Sequence, residues 1–237
     1  MGYGQFCPVA QALDVVGERW TLIIVRELLC GNYRFNELMQ GMPLISRSLL
    51  SQRLKMLEEA GLVERHARDG KSGHEYRLTV AGRELEEVVM GLGRWGQRWV
   101  KHRLRAEDLD PVLLMWDLRR RVDLERVPKE PVVVHFWFRD LPTKRSRYWL
   151  CVEPPEVEVC LTPPGREAHV TVETKLRVFV AVWMGERSWK EAVASRAIEL
   201  QGAPALLRAF PSWLLLNSFA STAKGTAPER ELVNRPR

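Results

Sequence analysis

The sequence predicts an α+β protein built in two parts. Three observations carry this. Residues 1–105 place apolar side chains at helical spacing, interrupted by a single charged hairpin pattern. Residues 131–182 switch mostly to strand-like alternation. Helical spacing then returns after residue 188. A change of period along a chain of 237 residues argues for two domains of different class. The expected boundaries are 1–105, 106–221 and a loose polar tail, 222–237, containing Pro228 and Pro236. The connector is placed at residues 102–111, where a basic stretch gives way to Glu107, Asp108 and Asp110.

The helices of the first part follow in order. Val9, Ala12, Leu13 and Val16 form a helical stripe that Gly17 can end. Residues 20–29 carry Leu22, Ile23, Val25, Leu28 and Leu29, which predicts a short, nearly all-buried helix ended by Gly31-Asn32. Cys30 is expected in the core. Phe35, Leu38 and Met39 mark a brief helix stopped by Gly41 and Pro43. Ser46 is a suitable N-cap for the next helix, in which Leu50, Leu54 and Leu57 share one face and which Gly61 closes.

With that leucine face inward, Ser48, Gln52 and Lys55 point directly away, and Arg47 and Ser51 flank them. The outer face is small, polar and basic, without acids until Glu58 and Glu59. Reading a duplex needs that chemistry: slim side chains for close approach, an amide for bidentate bonding, cations for phosphates. Taken alone, the face also suits an ordinary solvated helix. Its neighbours matter, because a short helix, a turn and a longer helix is the helix-turn-helix order. Residues 62–68 and 74–79 then alternate about the turn-rich Asp69-Gly-Lys-Ser-Gly, a charged hairpin with Arg68 and Lys71 near its tip. From Pro43 to Arg83 eight Lys and Arg stand against five Asp and Glu, a basic excess in the elements that would meet DNA.

Residues 82–104 continue as a longer helix with an apolar stripe of Leu85, Val88, Val89, Leu92, Trp95, Gly96, Trp99 and Val100. So small a domain has little core to cover it, so the stripe docks a second subunit or packs on the second domain. Gly91, Gly93 and Gly96 each disfavour helix by about 1 kcal/mol relative to Ala, which suggests close approach or a bend.

Composition narrows the functional classes. The formal net charge of +6 permits an anionic partner without requiring one. No apolar run approaches the roughly 18 residues of a membrane span. Asp14, Glu18 and Arg19 interrupt any leader-like stretch, so no secretory signal is expected. Four cysteines without a C-x-x-C pair read as reduced, packed thiols, which suits a cytoplasmic protein. Five histidines lack H-x-x-x-H or H-x-x-E spacing, so no metal site or cofactor is expected. The G-x-S-x-G and P-loop signatures are missing from the sequence, which places an enzyme last among the readings.

Several motifs of the first part stand in a familiar order: Cys7-Pro-Val, Gly17-Glu-Arg-Trp-Thr-Leu, Arg34-Phe-Asn-Glu-Leu, Ile45-Ser-Arg-Ser-Leu-Leu-Ser-Gln-Arg-Leu, Glu58-Glu-Ala-Gly-Leu-Val-Glu-Arg and Tyr76-Arg-Leu-Thr-Val-Ala-Gly-Arg. Over residues 6–100 the chain resembles the HxlR-type winged helix-turn-helix transcription regulators. The resemblance implies a cytoplasmic regulator that binds double-stranded operator DNA as a homodimer. It implies recognition-helix contacts from Arg47, Ser48, Ser51 and Gln52, and wing contacts from Arg68 and Lys71. A two-fold dimer would set its recognition helices about 34–36 Å apart on an inverted repeat. Family members often carry a cysteine before the first helix, in some a sensor of oxidants or electrophiles. Cys7 matches it, and Pro8 at the first helical position would place its thiol at a helix N-terminus, which favours a thiolate. An unreactive, packed thiol is the alternative.

The second part reads as a mainly antiparallel sheet. Strand patterns run from Pro131 through Phe138, from Arg147 through Glu153, and through Val157, Val159 and Leu161. Val170 and Val172 alternate after Pro163-Pro-Gly, and Leu176, Val178, Val180 and Val182 continue the alternation. Residues 188–195 then form a helix with Trp189, Ala192 and Val193 inward, 197–202 a short strand, and 204–210 a last helix. The stretch from Trp183 to Leu214 resembles the sterol-carrier-protein-type α/β fold, more weakly than the first likeness and over about residues 110–218. Ala203 departs from the acidic residue common at that place. The resemblance implies a tunnel for a small apolar ligand that Trp183, Trp189, Leu206, Phe210, Trp213 and Leu214 could line. Each of these could equally be packed core. Three functions follow: a ligand-modulated DNA-binding regulator, a constitutive binder whose second part is an interaction module, and a lipid carrier or enzyme with an accessory helical domain.

Overall fold

The computed structural model describes residues 2–68, 73–100 and 105–224. The expected tail falls largely outside this range, apart from a short turn of 3₁₀ helix over Ala220–Lys224. Contacts divide the chain into two compact units, Met1–Leu92 and Gly93–Arg237. Sequence pattern puts the division near residue 105, after the long helix. Contact density puts it within that helix, because Gly93 meets the Phe219 ring and Gln97 donates to the Met184 carbonyl at 3.3 Å.

The first unit comprises α1 (Pro8–Val16), α2 (Thr21–Leu29), α3 (Phe35–Gly41), α4 (Arg47–Glu59), an antiparallel hairpin of β1 (Val63–Ala67) and β2 (His74–Leu78), and the start of α5 (Val80–Trp99). Its core joins Ile24, Val25 and Leu28 of α2 to Leu38 of α3, Leu50, Leu54 and Leu57 of α4, and Val63 and Leu78 of the hairpin. The strand set is extended by Tyr33, whose carbonyl accepts from the Tyr76 N–H at 2.8 Å.

Two side chains depart from the sequence reading here. Cys30 is exposed rather than in the core, because it caps the C-terminus of α2 just before the turn at Gly31. In α1 only Ala10 and Val16 are buried, while Val9 and Leu13 of the expected stripe stand in solvent. A buried carboxylate also emerged. Glu27, fully inside α2's packing face, pairs with Arg26 and accepts from the Asn32 amide at 2.5 Å. Gly41 packs directly on this carboxylate, so α3 can approach α2 closely.

The second unit contains α6 (Pro111–Arg119), β3 (Val132–Phe138), β4 (Arg147–Glu153), β5 (Glu156–Cys160), β6 (Val170–Thr174), α7 (Leu176–Trp183), α8 (Trp189–Ala194), β7 (Ile198–Gly202) and α9 (Pro204–Trp213). Its sheet has the order β5-β4-β3-β6-β7. All pairings are antiparallel except the central β3–β6 pair. Val134, Phe136, Leu150 and Val172 share the sheet face against which Met115, Phe179, Ala192 and Phe210 of the four helices pack.

Two elements differ from the pattern read in sequence. The segment around Leu176, Val178, Val180 and Val182 is the helix α7, not a strand. Leu176, Phe179, Val182 and Trp183 are its buried residues, which is helical spacing hidden under a run of valines. Its first N–H is satisfied by the Asp140 carboxylate at 2.8 Å, a cap from 36 residues away. The helix α6 begins at the end of the stretch read as connector, in residues to which the sequence pattern assigned no element. Asp110 caps it, accepting from Val112 and Leu113 N–H at 2.7 and 3.2 Å, and Pro111 begins it.

Candidate nucleic-acid interface

The site is built on α4. Ser46 accepts from the Leu49 N–H at 3.2 Å and starts the helix. Leu50, Leu54 and Leu57 are at most 1% exposed and lock one face into the core. That leaves Arg47, Ser48, Ser51, Gln52 and Lys55 exposed on the other side, together on one helix face. The Arg47 guanidinium lies over the Phe35 ring at 5.1 Å, a stacking that orients it from α3. Lys55 meets Glu59 at 3.6 Å with both side chains largely solvated, so the lysine remains free to exchange this partner for a phosphate.

Arg53 shows how orientation separates the cations of one helix. It bonds Glu18 at 2.8 Å and the Arg19 carbonyl at 3.2 Å, with its side chain only 12% exposed. This arginine ties α4 to the turn before α2. The α3–α4 turn also presents an unanticipated group. Leu44 is 84% exposed beside the start of α4, where an apolar side chain could meet a sugar or a thymine methyl. Its only signal in sequence is a leucine following the helix-stopping Pro43.

At the wing, Lys71 lies outside the described residues. Arg68 is held 3.8 Å from Glu75, which also meets Arg77 at 2.7 Å and Arg34 at 3.7 Å. The Arg77 hydrogen bond, with the nearby guanidinium charges, keeps the Glu75 carboxyl below its ordinary range. Glu75 thus gathers three arginines at the base of the wing, one of which, Arg34, also reaches Glu37 at 3.7 Å. Sequence reading singled out Arg68 and missed Arg34 and Arg77, because only the β2 pairing brings them together. Arg77 in turn stacks on Tyr33 at 3.7 Å.

Cys7 occupies the N-cap of α1, with Pro8 following, and is exposed. No cap hydrogen bond of full geometry forms. The thiol nevertheless faces the N–H groups of Ala10 and Val9, which lower its pKa from the usual thiol range. In the second unit, Cys151 and Cys160 lie 3.8 Å apart on neighbouring strands. Burial and its thiol neighbour push Cys151 up to about 12.

The residues considered for an apolar ligand gather in one cluster. Trp183, Phe210, Trp213 and Leu214 are buried, and Trp189 and Leu206 are half-buried against them. The rings interlock edge to face: Trp189 meets Phe179 and Phe210 at 5.6 Å each, and Phe210 meets Trp213 at 5.5 Å. Among the described residues no cluster of three His, Cys, Asp or Glu is placed to hold a metal ion. No helix there is long and apolar enough to cross a membrane.

Comparison with known proteins bears on the same region. The HxlR-like helix-turn-helix family matches residues 15–104. The uncharacterized HTH-type transcriptional regulator Rv3095 of Mycobacterium tuberculosis is 38% identical over 135 residues, covering 52% of this chain and 84% of that protein. The uncharacterized HTH-type transcriptional regulator YvaP of Bacillus subtilis is 34% identical over 102 residues, covering 42% and 94% respectively. A solved structure of the reduced form of the regulator YodB from B. subtilis is 31% identical, covers 41% of this chain and 98% of that one, and superposes with a TM-score of 0.37. With its capped, leucine-anchored α4 and the hairpin that follows it, the chain belongs to the HxlR-like helix-turn-helix family and is a DNA-binding transcription regulator.

Proposed function

We propose that the protein acts as a homodimer on an inverted-repeat operator, with α4 of each copy in the major groove. Arg47, Ser48, Ser51, Gln52 and Lys55 make the groove contacts, and Arg68 and Lys71 place the wing against the backbone. The observation that carries this reading is the exposed outer face of α4, which holds no carboxylate from Arg47 to Lys55. Acids there would repel the duplex. Pairing of two copies is supported by α5. Val88, Leu92, Trp95 and Trp99 are 48%, 51%, 58% and 38% exposed, a stripe along one face that a second copy would cover. Gly91 and Gly96 leave open space beside the helix, which a close partner would use, whereas Gly93 is taken by Phe219.

The second unit is proposed to sense a small apolar molecule on a sterol-carrier-type scaffold. Support comes from the layering of helices on one face of the mixed sheet. A ligand would act by favouring one spacing of the two recognition helices, by no more than its differential affinity for the two states. The close ring packing of Trp189, Phe210 and Trp213 favours a second reading, in which this unit only mediates protein contacts. Cys7, as an exposed N-cap thiol, is proposed to tune DNA affinity on oxidation.

Selection of genomic fragments by the purified protein tests the main reading. A shared two-fold motif, with binding that weakens steeply as salt rises, is expected. Recovery of fragments without any common site would overturn it. Trp95→Arg should convert a dimer to a monomer in sedimentation. For Cys7, mild oxidant should alter the DNA affinity of the wild type and not of Cys7→Ser, and equal responses remove its role.

A further inference from the structure

A groove of about 470 Å³ runs beside β7, the edge strand of the second unit's sheet, between the end of α8 and the start of α9. Its volume falls in the range of small-molecule sites, ~300–1,000 Å³. Val193, Ile198, Leu200 and Leu207 supply its apolar lining, and Gln201 adds a polar side chain. Two cations, Arg196 and Arg208, stand among them. Among the described residues neither guanidinium meets a carboxylate at ion-pair distance. The groove's one acid, Glu199, is engaged by Arg139 at 3.3 Å, which reaches Glu173 as well. The groove is therefore an open, partly apolar surface with two arginines that no carboxylate of the described residues pairs.

Arg196 is placed at a backbone cost. The α8 helix ends with the Arg196 N–H bonding the Val193 carbonyl and the Ala197 N–H bonding the Ala192 carbonyl, both at 2.9 Å. This is the Schellman arrangement, whose left-handed position usually carries glycine. Here it carries Arg196 at φ +55°. A long cationic side chain sits where having no side chain would be easier, a feature that points to use of the side chain. Gly202, the last residue of β7, lets that strand approach the His169 carbonyl and Leu207 closely.

We propose that this groove binds an amphipathic anion, an unbranched apolar chain with a carboxylate head, the head held between Arg196 and Arg208 and the chain against Val193, Leu200 and Leu207. Guanidinium forks match carboxylate geometry, and the leucine and valine side chains offer the chain apolar contact. This site deepens the reading of the second unit as the ligand-responsive part and rests on that reading for its purpose. It differs from the tryptophan cluster, none of whose members line it.

The test titrates the full-length protein with dodecanoate and, separately, with dodecanol, below their aggregation thresholds. Dodecanoate is expected to bind more tightly than dodecanol. Arg196→Gly and Arg208→Gln should each weaken dodecanoate by about fivefold and leave dodecanol unchanged. Arg196→Gly should melt at or above the wild-type temperature, because it relieves the left-handed strain. A purely structural arginine would not give that combination. Leu207→Trp should fill the groove and abolish both ligands. Absence of dodecanoate binding below millimolar concentration, or binding indifferent to both arginine changes, overturns the site. Operator affinity measured with and without saturating dodecanoate separates the two ideas: tight, arginine-dependent binding with no change in DNA affinity upholds the site and refutes the sensory role.

Discussion

Replacing Gln52 by Ala while leaving its neighbour Arg53 untouched, and then the reverse, divides α4 by face. Gln52 is exposed, and its amide is free to bond a base edge in two places. Loss of such a bidentate contact costs about 1–3 kcal/mol. At ~1.4 kcal/mol per tenfold, that is roughly a fivefold to 150-fold loss at each half-site, which the dimer suffers twice. Binding to unrelated DNA should not change, because phosphate contacts remain. Lys55→Ala should act differently, weakening all sequences alike and flattening the log–log salt slope by about 0.9 for each of the dimer's two copies. Arg53→Ala should leave the affinity of folded protein unchanged. It removes the bonds to Glu18 and the Arg19 carbonyl, worth about 1 kcal/mol of stability, since Glu18 is itself half exposed. Fluorescence anisotropy on a selected operator over a series of salt concentrations, with thermal melts of each variant, reads all three. If Arg53→Ala in folded protein weakened the operator complex and Gln52→Ala did not, the assignment of faces would be refuted.

Three further outcomes follow from the packing and the thiols. Gly82→Ala should lower the melting temperature sharply, because its Cβ would sit 2.1 Å from the Leu62 backbone carbonyl oxygen, and a proteolysis assay should show the first unit opening. Phe210→Ala should destabilise the second unit by about 3–5 kcal/mol in denaturant titration, given a fully buried ring contacting Phe136, Trp189 and Trp213; a loss under about 1 kcal/mol would mean the cluster is not close-packed. Alkylation rises with thiolate, so Cys7, its pKa lowered by α1's N-terminus, should label at a lower pH than a free thiol. Cys151, pushed up to about 12, should stay unlabelled through pH 9, and mass mapping of iodoacetamide adducts against pH checks the order.

Local signals were legible wherever the chemistry lies within one turn of chain. Ser46 caps its own helix, Gly61 with φ +69° ends it, and the 3.6-residue period of Leu50, Leu54 and Leu57 sets which face is buried. Those three facts already oriented Arg47, Ser51 and Gln52 outward. The Asp110-Pro111 start of α6 was equally local and was passed over as connector. The valine run of α7 misled for a physical reason: β-branched residues at every second position suit a strand, and the cap that favours helix, Asp140, lies far off in sequence.

What the sequence determined by itself was the helix-turn-helix order, the hairpin, the outward face of α4 and the mainly antiparallel sheet. Each depends on periodicity or a cap within a few residues. Tertiary structure alone decided that Arg53 belongs to the scaffold, that Arg34, Arg68 and Arg77 converge on Glu75, that Glu27 is a buried carboxylate under Gly41, and that Arg196 and Arg208 share one groove. Ion pairs and grooves join residues far apart along the chain. Their formation depends on distances that only the packed core imposes.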